Sequence, residues 1–311
     1  MSEAIDFNAT IGPEEVGVIV GGWMFGIFTM QCFNYFAYFP NDSKRMKFTV
    51  AALWILELLH VILSCVALYS TTVTHFGDGP RVLFINKAIG LSLIISSIVG
   101  PGVQAFFAFR VLKISGSWII PVFCWTLSFV RMLSLLAVCA ATLKTSFIPA
   151  FKAKWDWLVL SSIAVSTTVD VVVAISLCLQ LWHRRTSSGI KSTQQKIDSL
   201  LAWTINTGLL TSAASIMMLI FFVTMANFAW LTMLLIIPRL FANSMLASLN
   251  SRAKFRDEKA TFVEMSGGSF GNRSIPNRKL PTSIAIEMSH TQNIVRDQLT
   301  PSGTDDKTGL E

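Results

Sequence analysis

The chain has 311 residues, 52% of them hydrophobic and only 14% charged, where a soluble domain carries about 25% charged residues. The formal net charge is +7, but the lysines and arginines sit beside apolar runs and do not interleave with aromatic residues. That argues against nucleic acid as a partner and points to lipid headgroups. What remains is a membrane domain followed by a polar tail.

The first fifteen residues are acidic, with Glu3, Asp6, Glu14 and Glu15, and lack the basic stretch that opens a cleavable signal peptide. They are expected to form an outer N-terminal tail (1–15), leaving the first span as an uncleaved anchor. Asn8-Ala-Thr10 in this tail is a glycosylation sequon. A hydrocarbon core of about 30 Å needs about 20 apolar residues in helix. Seven stretches are long enough: 16–39, 48–69, 88–112, 118–141, 155–182, 199–226 and 228–249. The last two are separated by little more than Asn227, the weakest of the boundaries. The fold class expected is all-α: a polytopic, seven-transmembrane helix bundle over 16–250. From residue 251 to 311 the composition turns to Ser, Thr, Asn, Gly and Asp, a mixture that buries too little apolar surface to offset ordering entropy and predicts a disordered cytoplasmic tail.

Charge sets the orientation. One side holds Lys44, Arg45, Lys47, Arg110, Lys113, Arg184, Arg185, Lys191, Lys196, Arg252, Lys254, Arg256 and Lys259. The other holds Arg81, Lys87, Lys144, Lys152 and Lys154. The positive-inside rule therefore places the N-terminus outside and the C-terminus in the cytoplasm, with the three lysines of the fourth-to-fifth loop dissenting. Trp118, Trp155, Trp157, Trp182 and Tyr69 fall near span ends, where amphipathic rings meet the headgroups. Cys32, Cys65, Cys124, Cys139 and Cys178 all lie inside spans, and no structural disulfide is expected.

Ionisable residues at mid-membrane depth are the candidate site. Glu57 and His60 lie mid-second span at i, i+3, with Arg131 mid-fourth, Asp170 mid-fifth and Arg239 mid-seventh. Each charge at the bilayer centre costs about 2.5–3.5 kcal/mol, so two acids and two arginines invite pairing. Two readings stand side by side: a polar functional site, or an ion-pair network that fixes helix register. Arg110 reads as a side chain snorkelling to the interface. Gly17 with Gly21, and Gly22 with Gly26, have close-packing spacing. Thr207, Gly208, Thr211, Ser212 and Ser215 give the sixth span a small polar face, and Gly100-Pro101-Gly102 is expected to kink the third. No phosphate-cradling loop, metal-ligand spacing or nucleophile–base set appears, so neither a cofactor nor an enzyme activity is expected. The seventh span has no lysine for a retinal Schiff base and reads Ile237-Pro238-Arg239.

Specific segments carry a resemblance. Trp54-Ile-Leu-Glu57-Leu-Leu-His60, Gln104-Ala-Phe-Phe-Ala-Phe-Arg110, Asn206-Thr-Gly-Leu-Leu-Thr-Ser212 and Phe241-Ala-Asn243-Ser244-Met-Leu-Ala-Ser-Leu-Asn250-Ser-Arg252 resemble a basidiomycete seven-transmembrane family defined by a domain of unknown function. Glu57 stands where that family commonly has Asp, and Asn206 where it commonly has Glu. The resemblance implies a seven-pass fungal membrane protein and supplies no catalytic residues. Topology favours a receptor-like sensor in the plasma membrane, with a small ligand and a cytoplasmic signalling partner. The alternative is a transporter or channel using the mid-membrane charges, against which stand the odd span count and the lack of an internal repeat.

Overall fold

A computed structural model of the chain describes residues 7–78, 80–81, 84–187, 191–225 and 228–266. By its contacts the chain divides into Met1–Lys259 and Ala260–Glu311, and the bundle described below belongs to the first. Among the described residues the helices are α1 Phe7–Tyr38, α2 Lys44–Tyr69, α3 Lys87–Ser115, α4 Ile119–Lys144, α5 Ile148–Ser187, α6 Lys191–Thr224 and α7 Ala229–Ser266. Their ends follow local chemistry. Ser43 accepts from the Met46 amide at the start of α2, and Asn86 accepts from the Ala88 amide at the start of α3 (2.9 Å). Gly116 ends α3 in the left-handed region, φ 67°, returning its amide to the Leu112 carbonyl. A single wide π turn, Ser70–Thr74, prolongs α2. Thr71 and Thr72 donate back to the Ala67 and Leu68 carbonyls there.

Six helices contain stretches long and apolar enough to cross a membrane: Thr10–Tyr38, Lys44–Thr74, Lys87–Lys113, Ile119–Lys144, Ile148–His183 and Ala229–Arg252. The apolar stretch described in α6, Gly208–Thr224, is shorter and rises about 26 Å. The surface is inverted relative to a soluble protein. Trp23 is 80% exposed and Ile119 81%, and large apolar side chains face outward along α1 to α6, a surface suited to lipid, while α7 exposes none over residues 229–252. These properties make the chain a helical, multi-pass membrane protein.

Two expectations shift. The outer tail expected over 1–15 is helical from Phe7, with Pro13 inside α1 removing one helical hydrogen bond. The polar tail expected from 251 is helical through Ser266. The run Ala253-Lys-Phe-Arg-Asp-Glu-Lys-Ala260 consists of capable helix formers, and Gly267-Gly268 is the first strong breaker. The disorder expected for 267–311 lies outside the described residues. α3 passes through Gly100-Pro101-Gly102 as one helix.

The chain's first and last spans are neighbours. Thr232 Oγ1 donates to the Pro13 carbonyl at 2.6 Å, Asn243 Nδ2 to that of Met24 at 3.1 Å, and Asn250 Nδ2 to that of Gln31 at 2.8 Å. All three bonds have the same sequence separation of 219. Such a constant offset requires α1 and α7 to run parallel in fixed register. Residues 232, 243 and 250 are about three and two turns apart and so share one face. On that seam Gly17 lies against Leu235 and Thr232, and Gly21 lies under the Arg239 guanidinium. Nothing approaches Gly22 or Gly26. Of the two glycine pairs in α1, one is an intramolecular packing surface and the other is open.

Candidate functional site

Asp170 of α5 is the centre of the polar interior. Its Oδ1 accepts from Arg131 of α4, in an ion pair, and from Gln104 Nε2 of α3 at 2.6 Å. Its Oδ2 accepts from Ser215 Oγ of α6 at 2.7 Å. Gln104 Oε1 in turn accepts from Ser128 Oγ at 2.9 Å, and Thr167 Oγ1 donates to the Ser215 carbonyl at 3.2 Å. Four consecutive helices are thus joined through one carboxylate. All six side chains are buried. Arg131 also stacks on Phe241 of α7, 4.9 Å from the ring centroid, with Gly100 of α3 beside its guanidinium. A buried charge persists only when paired and hydrogen-bonded, and this one is.

The second group does not close in the same way. Glu57 and His60 of α2 and Arg239 of α7 are each 1% exposed. His60 Nε2 meets Ser96 Oγ of α3 at 3.1 Å. Arg239 Nη1 donates to the Leu235 carbonyl in its own helix. Both Glu57 carboxylate oxygens, His60 Nδ1 and Arg239 Nε are buried without a hydrogen-bond partner. The pairing invited for both acids and both arginines is therefore made at Arg131–Asp170, and Glu57 forms no hydrogen bond to Arg239.

The other motif positions organise the opposite end of the bundle, where the loop between α1 and α2 lies. Asn243 and Asn250 belong to the α1–α7 seam, and Ser244 is half-buried on the same helix. Arg252 holds Asp42 with Nη2–Oδ2 at 2.7 Å and lies 4.3 Å over the Phe39 ring, while Tyr35 donates its hydroxyl to the same carboxylate at 3.0 Å. Burial pushes the Asp42 carboxyl up. Hydrogen bonds from Arg252 and Tyr35 and the charges of Arg252 and Lys47 outweigh it and hold Asp42 below the usual carboxylate range. Arg110, expected to snorkel, instead donates to Ser248 Oγ of α7 at 2.6 Å. A nearby polar partner in the bundle gives the guanidinium a better option than reaching for headgroups.

At the end of the bundle where α1 and α7 begin, a cavity of about 130 Å³ opens between α1, α3, α4, α5, α6 and α7. Its walls are largely apolar, including Leu135, Ile163, Met218 and Trp230. A smaller cavity of about 50 Å³ shares Leu135, Ser162, Ile163, Met218 and Leu234 with it and is lined by Ser96, Arg131 and Ser215. The two cavities lie back to back across these shared walls, and the inner one reaches Arg131 and Ser215 of the Asp170 network. Phe84 and Phe147 clasp over this end, through an isolated antiparallel bridge and the Ile85 amide bonded to the Ser146 carbonyl at 2.7 Å.

Sequence reasoning missed Ser128, and it read Ser215 as part of a small polar face of the sixth span and not as a hydroxyl of the network. The i, i+3 spacing of Ser128 and Arg131 on α4 was the available signal. It also missed Asp42 as the partner of Arg252, and Glu14 as a cavity wall. The Asn8 side chain lies outside the described residues. All five cysteines are free. Among the described residues no group of three His, Cys, Asp or Glu is arranged to hold a metal ion.

The model of a family of unknown function (DUF6534) matches residues 166–254. The matched stretch runs from just before Asp170 in α5 to just past Arg252 in α7. It contains Ser215, Arg239 and the α7 side of the asparagine seam. No curated protein and no solved structure matches the chain.

Proposed function

We propose that this chain is a seven-pass plasma-membrane protein of the fungal kind its motifs resemble, with α6 as the remaining pass. Its N-terminus lies outside, and it works as a receptor-like sensor of a small ligand. The observation that carries the reading is the apolar cavity at the end of the bundle, which shares five wall residues with an inner cavity lined by Arg131 of the buried Arg131–Asp170 pair. A ligand shifts an equilibrium only by binding one state better than another. An occupant that displaces Leu135, Ile163 or Met218 moves walls shared with the inner cavity, and so acts on the carboxylate that joins α3, α4, α5 and α6. The far ends of those helices, next to the Asp42–Arg252 clasp, would present the change to a cytoplasmic signalling partner. No catalytic step belongs to this reading.

A transporter or channel is the second reading, and the buried Glu57, His60 and Arg239, with the Glu57 carboxylate oxygens, His60 Nδ1 and Arg239 Nε unbonded, favour it, because buried ionisable groups inside membranes mark ion and proton paths. Proteoliposomes separate the two. The sensor reading expects proton and solute leak no faster than in empty vesicles. Protein-dependent flux that disappears in Asp170→Asn or Glu57→Gln would replace it with the carrier. An N-terminal epitope inaccessible on intact cells would reverse the orientation and move the cavity to the cytoplasmic face.

A further inference from the structure

Glu14 stands apart from the networks described so far. It lies in the first turns of α1, is 6% exposed, and lines the larger cavity. Its Oε1 has no hydrogen-bond partner. The other charged groups on the cavity wall, Lys152 and Asp156, are exposed and one turn apart on α5, with the Lys152 ammonium 5.8 Å from the Phe228 ring centroid. The interior beyond them is formed by aliphatic and aromatic side chains such as Leu93, Val138, Val159 and Phe222. A buried acceptor without a donor costs free energy that an incoming donor recovers. Among donors, an ammonium supplies both the hydrogen bond and the opposite charge. An anionic head would meet Glu14 within and Asp156 at the mouth, with only Lys152 in its favour.

We propose that the cavity binds an amphiphilic amine, its apolar body packed between α3, α4, α5 and α6 and its ammonium hydrogen-bonded to the Glu14 carboxyl. This rests on the cavity's being the ligand site of the sensor and adds the chemistry of the ligand. Selectivity comes from the head, since the walls accept any body of suitable size. Glu14 is the residue that tells an amine from a neutral or acidic molecule of the same shape.

The test uses three probes with one body and three heads: phenethylamine, propylbenzene and hydrocinnamate. Each is tritiated and bound to the full chain in phosphatidylcholine nanodiscs, with empty nanodiscs subtracted to remove partitioning into lipid. Phenethylamine is expected to bind about tenfold or more tighter than propylbenzene, and hydrocinnamate weakest. Glu14→Gln keeps the side chain's size and is expected to bring phenethylamine down to the level of propylbenzene, leaving propylbenzene unchanged. Leu135→Phe, which fills the cavity, is expected to weaken both. The comparison of heads on the unaltered chain needs no variant to fold. If the amine holds no advantage there while propylbenzene binds and Leu135→Phe blocks it, the amine assignment is overturned and the cavity stands as a ligand site. If no probe binds above empty nanodiscs, both the amine assignment and the cavity reading are overturned.

Discussion

Replacing Arg131 by Met strands Asp170 with two neutral donors, Gln104 and Ser215, in a site where the carboxylate is 2% exposed. Removing one partner of a buried ion pair costs about 3–5 kcal/mol. Asp170→Asn leaves the Arg131 charge with a neutral amide oxygen and the Phe241 ring, a contact worth up to about 2 kcal/mol when desolvated, in place of a carboxylate, and is expected to lose a comparable amount. The double variant Arg131→Met with Asp170→Asn removes both charges and keeps an amide for Gln104 Nε2 and Ser215 Oγ to bond. Such replacements are often neutral or stabilising, so it is expected to recover to within about 1 kcal/mol of the parent. A 1 kcal/mol change moves the midpoint of a domain of this size by about 2–4 °C. The single variants should therefore melt about 6–20 °C lower, with the double variant close to the parent. The assay is thermal unfolding in detergent micelles, followed by a thiol-reactive dye that reports exposure of the buried Cys32, Cys124 and Cys139. A double variant that melts as low as the worse single would refute the reasoning, because the loss would then lie in packing and not in an uncompensated charge.

Other outcomes follow from the same geometry. Gly21→Ala places a methyl group 2.6 Å from Arg239 Nη1 and is expected to cost about 1–3 kcal/mol by overpacking. Gly22→Ala, with nothing near it, is expected to be stabilising or neutral, since alanine improves on glycine in a helix by up to about 1 kcal/mol; equal melting points for the two variants would argue against the α1–α7 seam. Asp42→Asn is expected to cost about 0.2–1 kcal/mol at neutral pH. Asp42 is held below its ordinary value when folded, so its contribution is complete above the unfolded pKa and is lost as pH falls through the folded one. Thermal scans from neutral pH into the acid carboxylate range should find the parent's advantage over Asp42→Asn shrinking with acidity, and an advantage that grew instead would contradict the clasp. Asn250→Leu removes the donor to the Gln31 carbonyl and is expected to cost about 1 kcal/mol, measured by the same dye-based scan.

The helical architecture was legible because apolar length is a direct consequence of bilayer thickness, and every expected span overlaps a helix. Their ends were less so. Residues 251–266 read as tail by composition, yet no breaker interrupts them before Gly267. Burial of the five mid-membrane ionisable residues was also anticipated, since a charge in hydrocarbon has nowhere else to go. The pairing itself was not. Glu57 and Asp170 are equally plausible partners for either arginine on depth alone, and only the angular placement of α4 against α5 gives Asp170 to Arg131. The asparagines of the Phe241–Arg252 segment were recognisable as a motif but not as donors to carbonyls of α1, because sequence spacing shows which residues share a face and not which helix that face meets.

The parallel register of α1 and α7 bears on how the protein is made. Thr232, Asn243 and Asn250 reach the membrane only after everything before them has been synthesised and inserted. Until then the newly inserted first helix has α2 to lean on, through Trp54 Nε1 and Thr29 Oγ1 at 3.1 Å, while the flank carrying Gly17 and Gly21 faces lipid with its small residues uncovered. A nascent chain arrested before residue 229 therefore leaves a small-residue groove, suited to close helix contact, without the helix that fills it in the finished bundle.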